Sequence, residues 1–98
     1  MTTSTSSIRV ADKFSMSTRE SGRAARVAAL QALAECEALV LDFALRPMTP
    51  SFADELVGGL ADFLGIEAFK ARVQLERVPS ACRPLLIHVL SKHSAVVA

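Results

Sequence analysis

A chain of 98 residues, 51% of them hydrophobic, has material for one packed core and no room for two domains. Its net charge is +1, from 11 basic and 10 acidic residues, and it lacks Trp and Tyr, which argues against nucleic acid as its main partner. No apolar run approaches the ~20 residues of a membrane span, and residues 1–7 have no charged or apolar leader character. The cytoplasm is therefore the expected compartment.

Residues 1–7 are Thr/Ser-rich and are expected to form a disordered polar tail. Ile8-Arg9-Val10 then alternates apolar and polar, as a short half-buried strand does. Ser17-Thr18-Arg19-Glu20 fits a capping box, with Ser17 as cap and Ser21 as a second candidate. The Ala-rich helix that follows runs to about Glu35, with Val27, Leu30, Leu33 and Ala34 as its expected buried stripe.

Leu39-Val40-Leu41-Asp42-Phe43 predicts a central strand of a parallel sheet, covered by helices on both faces or on one face and an edge. Pro47 and Pro50 end it. A second helix is expected over 51–64, capped by Ser51 with Asp54 and stopped by Gly65. Phe52, Leu56, Leu60, Phe63 and Leu64 share one face of it. Gly58 and Gly59 each cost about 1 kcal/mol in mid-helix, which predicts another backbone packed close to them. Residues 73–78 alternate as a strand nearer an edge, Pro79 and Ser80 turn the chain, and a helix from Ala81 or Pro84 to His93 carries Leu85, Leu86, Val89 and Leu90 inward. Residues 94–98 form a short tail.

Strand–helix alternation of this kind implies right-handed crossovers. The expected fold is a single small α/β domain over residues 8–93, with a short, mainly parallel sheet of about three to four strands packed with three helices.

Val40-Leu41-Asp42-Phe43, a Pro-containing turn, and then Pro50-Ser51-Phe52-Ala53-Asp54-Glu55-Leu56-Val57-Gly58-Gly59-Leu60 resemble the STAS-like family of unknown function, whose core reads LDF…SFADEL.G.L. Ser21-Gly22-Arg23 and Arg83-Pro84-Leu85-Leu86 extend the resemblance, which covers about residues 8–93. That family is similar to STAS domains, the anti-sigma-factor antagonist fold, which carry a regulatory serine where the helix after the central strand begins. Ser51 is the nearest match. STAS antagonists have Asp-Ser-Ser-Gly in that turn, whereas this chain has Thr49-Pro50-Ser51-Phe52, without the acidic residue. STAS-like members stand beside or are fused to histidine-kinase-type ATPases, so the resemblance implies a protein partner of that kind.

Ser51 reads as a helix cap or, with the free N–H groups around it, as an anion or phosphate position. Asp54 and Glu55 point about 100° apart and complement the helix start rather than forming a catalytic pair; they would repel a phosphoserine. Asp42, at the end of the central strand, is either a polar site residue or the cap of the next turn. Arg19, Arg23 and Arg26 recur at helical spacing as a basic stripe, which is either solvated or a docking face for an acidic surface or a phosphate.

His88 and His93 are five apart, not the i, i+4 of a metal pair. Cys36 and Cys82 have no CxxC partners and read as small buried hydrophobes. GxSxG, P-loop and GxGxxG motifs are missing. The expectation is a non-enzymatic, regulatory protein-binding module without cofactor or metal, binding through Arg19, Arg23, Arg26, Asp42 and Ser51. Three alternatives stay open: a nucleotide- or phosphate-binding domain with its site at the strand ends, a phage or mobile-element inhibitor that binds a host complex, and a homo-oligomer subunit built on surplus apolar residues and exposed sheet edges.

Overall fold

In the computed structural model, residues 4–94 are described. The outer parts of the two expected tails, residues 1–3 and 95–98, lie outside them. Three parallel strands, β1 (Thr5–Arg9), β2 (Ala38–Asp42) and β3 (Val73–Glu76), form one sheet in the order β1-β2-β3. β1 starts inside the expected tail. Hydroxyl-rich composition suggested disorder at 5–7, but pairing along β2 recruits these residues, and the Ser4 carbonyl accepts from the N–H groups of Glu37 and Ala38. β3 ends at Glu76, short of expectation, because Arg77 turns into the left-handed region at φ 52°.

The register puts Ile8, Leu41 and Leu75 in one row and Leu39 beside Val73, all on the covered face. The opposite face carries Ser7, Val40 and Gln74, then Arg9, Asp42 and Glu76, and its outer positions are exposed. Among the described residues helices therefore cover the Leu39/Leu41 face, while Val40 on the other is half-buried.

Between β1 and β2 run a single turn, α1 (Val10–Lys13), and the long α2 (Arg19–Leu33). Thr18, not Ser17, caps α2: its Oγ1 accepts the Ser21 N–H at 3.1 Å. Its buried residues are Gly22, Ala25, Ala29 and Leu33, while Val27 is 52% exposed. The expected stripe is displaced toward the small residues, because they let α2 approach its neighbour closely. A Cβ on Gly22 would lie 2.7 Å from Glu55 Cβ and 3.0 Å from the Phe52 carbonyl.

After β2, residues 50–64 form a continuous rod: α3 (Pro50–Ala53), a π-helical segment (Asp54–Gly58) and α4 (Gly59–Leu64). Thr49 caps it, accepting the Phe52 N–H at 3.3 Å, with Pro50 in the first turn where a missing N–H costs least. Ser51 is thus inside the helix, not its cap. The buried pairs Phe52/Ala53, Leu56/Val57 and Leu60/Ala61 repeat every four residues, wider than the 3.6 of an α-helix, as the π turn requires. Carried on at 3.6, the pattern would turn Phe63 inward. The extra residue rotates it out, and it is 73% exposed.

Gly65, at φ 85°, ends the rod as expected. A helix unassigned in the sequence follows, α5 (Ile66–Arg72), with Phe69 buried. A 3-10 turn (Ser80–Cys82) leads into α6 (Arg83–Ser94), which packs along the α3–α4 rod with Leu86 and Val89 buried and Leu85 and Leu90 half-buried. Cys82 is buried as a small hydrophobe. Cys36 is half-buried in the loop after α2, with its S–H directed at the Ala38 carbonyl. Among the described residues no helix is long and apolar enough to cross a membrane.

Candidate functional site

The five residues singled out by the sequence do not converge on one site. Arg19, Arg23 and Arg26 reach over the π segment, Arg26 half-buried and the other two still exposed. Arg19 Nη1 lies 2.9 Å from Glu55 Oε1 and 3.5 Å from Asp54 Oδ2; Arg23 Nε and Arg26 Nη1 lie 3.6 and 3.2 Å from Glu55 Oε2. Arg26 also donates to the Glu55 carbonyl at 3.3 Å. The acidic surface expected of a partner is supplied by the chain itself. The Arg19 hydrogen bond, reinforced by the other two arginines, holds the Glu55 carboxyl below its ordinary range against a burial cost.

Asp54 belongs to the same seam. Its Oδ1 meets His93 Nε2 at 2.8 Å and Lys92 Nζ at 3.1 Å, and His93 Nδ1 meets Asp62 Oδ2 at 2.7 Å. Both imidazole nitrogens thus face carboxylates, which only the protonated ring satisfies as donor at both ends. Burial pulls the His93 pKa down, but the bonds to Asp54 and Asp62 outweigh it and leave it raised. The His93 bond, aided by Lys92, lowers the Asp54 pKa to about 2. The imidazole and the Arg26 guanidinium occupy the space where Gly58 and Gly59 would carry a Cβ. Close approach there is by side chains; the backbone contact lies at Gly22.

Asp42 lies in a different place, at the carboxyl end of the sheet. Its Oδ1 accepts from Arg77 Nε at 2.8 Å and from the Ala44 N–H at 2.9 Å, while Oδ2 receives Arg77 Nη2. The Arg77 hydrogen bond lowers the Asp42 pKa. Asp42 therefore caps the next turn and also clamps β3. The three non-glycine residues with positive φ among those described, Ala44 (54°), Leu45 (59°) and Arg77 (52°), all sit at this corner. Each costs about 1–2 kcal/mol as an L-residue. The Asp42–Arg77 pair and the Leu45 N–H bonded to the Arg77 carbonyl at 2.7 Å hold them there.

That corner presents Leu45, 64% exposed, at the mouth of a groove of about 480 Å³ between β3 and α6. Leu75, Val78, Leu86, Ile87 and Leu90 line it, with Arg77 and Arg83 on the rim and no acidic side chain. Ile87 is 66% exposed, and Arg83 has no ion-pair partner among the described residues. A second hollow, of about 580 Å³, opens at the ends of β1 and β2, lined by Phe14, Met16 and Met48 with Ser15, Ser17, Thr49 and Arg46. Ser51 contributes to neither. Sequence reasoning missed the groove because its polar members, Arg77 and Arg83, follow no motif, and because its apolar members counted as core.

Compared with known proteins, the chain matches no family model, no curated protein and no solved structure.

Proposed function

We propose that this chain is a non-enzymatic protein-binding module of the STAS-like type that regulates or completes a protein assembly, and that it takes its partner in the groove between β3 and α6. One observation carries the reading: exposed Leu45 and Ile87 flank an apolar groove whose only charged members are Arg77 and Arg83. A groove with that lining favours a partner segment that alternates apolar and acidic side chains. The strained Leu45 corner supports the same reading, since residues held in costly backbone conformations cluster where function over-determines them. Glu55, Asp54 and His93 are held in ion pairs across the α2–α3 seam, which leaves them poorly suited to acid–base or nucleophilic work. A histidine-kinase-type ATPase, the partner class that the STAS-like resemblance implies, is the first protein to try.

The experiment places a photo-crosslinking amino acid at position 87, with position 35 as an exposed control, in the native host. The reading expects an adduct at 87 that maps to an acidic and apolar segment of one protein and disappears with Arg83→Glu. Adducts shared with position 35, or indifferent to Arg83→Glu, contradict it.

A second reading, a small-anion or nucleotide site, rests on the hollow that joins Arg46, which has no ion pair among the described residues, to Ser15, Ser17 and Thr49 at the strand ends. Calorimetric titration with ATP, GTP and phosphate tests it. Binding abolished by Arg46→Ala supports it, and no heat from any of the three removes it.

A further inference from the structure

We propose that the chain forms a two-fold symmetric homodimer through the α2–α4 face around Phe63, leaving the β3–α6 groove free on each copy. Phe63 is the most exposed large hydrophobic side chain among the described residues, at 73%. It borders a hollow of about 470 Å³ between α2 and α4, which Arg26, Val27, Leu30, Gly59 and Asp62 also line. A projecting ring next to an open hollow on one patch is self-complementary in shape: across a two-fold axis each Phe63 enters the hollow of the other copy. Two-fold interfaces require this, since the same patch must serve as both halves.

The charges satisfy the same condition. Arg23, Val27 and Leu30 fall at i, i+4 and i+7 on α2, so the arginine continues the apolar stripe. Its side chain is 60% exposed, and its one ion pair among the described residues, to Glu55, is long at 3.6 Å. On the α4 side Asp62 is 54% exposed while bonded to His93 through one oxygen. Arg26, which also lines the hollow, is held by Glu55 at 3.2 Å, so the patch offers Arg23 as its available cation and one carboxylate oxygen of Asp62, and the two-fold proposed sets Arg23 of each copy against Asp62 of the other. The β3–α6 groove is lined by no acidic side chain, and its Arg83 has no carboxylate partner among the described residues, so two copies of it would set like charges together. The face around Phe63 can meet itself and the groove cannot. That asymmetry is the reason to assign a second copy to this face, and a partner of different sequence to the groove.

Sedimentation equilibrium of the purified chain reads the outcome. The wild-type chain is expected at twice its 10.5 kDa mass, and Phe63→Asp at the single mass with an unchanged far-UV circular dichroism spectrum. Ile87→Asp, in the groove, is expected to dimerise as wild type does. Arg23→Asp and Asp62→Arg should each weaken association at least tenfold, and an equimolar mixture should restore it, because both cross-axis pairs are then again of opposite sign. A wild-type chain still at single mass at about 100 µM, equivalent to about −5.5 kcal/mol or weaker, overturns the dimer. So does Phe63→Asp at double mass. A mixture of the two charge variants that stays at single mass overturns the Arg23–Asp62 pairing, and with it the two-fold arrangement proposed.

Discussion

Two charged regions of this molecule differ in what they leave over. In the seam between α2, the π segment and α6, Glu55 receives three arginines, and Asp54 receives His93, Lys92 and Arg19. At the sheet corner Asp42 and Arg77 also neutralise each other, but around them Leu45 and Ile87 stay exposed and Arg83 has no carboxylate partner among the described residues. The carboxylates of the seam are each met by several cations, whereas the corner leaves apolar side chains exposed beside an arginine, Arg83, that has no carboxylate among the described residues. Charge density alone therefore does not separate a paired region from an open one. A stripe of arginines is a recognition surface only when the fold leaves it unopposed.

The seam should break first. Glu55→Ala removes the acceptor that three arginines share and leaves Arg26 half-buried without its carboxylate, which should cost about 2–3 kcal/mol, or roughly 10–20 °C in the melting temperature of a domain this size. Thermal unfolding followed by circular dichroism measures it; a change below 2 °C would mean that the seam is solvated surface after all. Gly22→Ala tests the same contact from the other helix. Its Cβ would meet Glu55 and the Phe52 carbonyl, and overpacking of this kind costs about 1–3 kcal/mol.

His93 gives the seam a pH dependence. Its folded pKa is raised, so its contribution is complete below the unfolded value of about 6.5 and disappears as pH rises through the folded value. Asp54 works in the opposite sense: its pKa falls from 3.8 to about 2, so its contribution is present above 3.8 and is lost as pH drops toward 2. The melting temperature should therefore fall on the alkaline side in wild type, and His93→Gln should flatten that limb and also shallow the acid limb, because the His93 bond is the main cause of the low Asp54 pKa. An alkaline decline that persists unchanged in His93→Gln would assign it elsewhere.

Smaller effects separate the true cap from the residue the sequence suggested. Thr49→Ala should cost about 1 kcal/mol, while Ser51→Ala should stay within about 0.5 kcal/mol. The reverse order, measured by chemical denaturation, would restore Ser51 as the cap. At the corner, Ile87→Asp should also stay within about 0.5 kcal/mol of wild type, because that side chain is already two-thirds exposed.

Much of the architecture was legible because the signals were local. The apolar run at 39–43, the alternation after Val73, Gly65 and the Leu85–Leu90 stripe each announce their element. The displaced parts depend on partners distant in sequence. β1 gains Thr5-Ser6-Ser7 only because β2 lies beside it. The π turn, which rotates Phe63 to the surface, arises between a helix start set by Thr49 and the packing of α2 and α6 on either side. A helix at 66–72 escaped notice because Gly65 and Val73 bracket it closely; its Arg72 donates to the carbonyls of Leu33, Cys36 and Glu37, closing the end of α2 from far along the chain. Of the five proposed site residues, Asp42 alone lies at the corner beside the β3–α6 groove, and there it positions Arg77.

The most direct measurement is the affinity of the crosslinked partner for two variants, Arg83→Glu at the groove and Arg19→Gln in the seam, each checked for folding. Recognition at the corner predicts at least a tenfold loss for Arg83→Glu and an unchanged Kd for Arg19→Gln. The opposite pattern would return recognition to the arginine stripe and contradict the account.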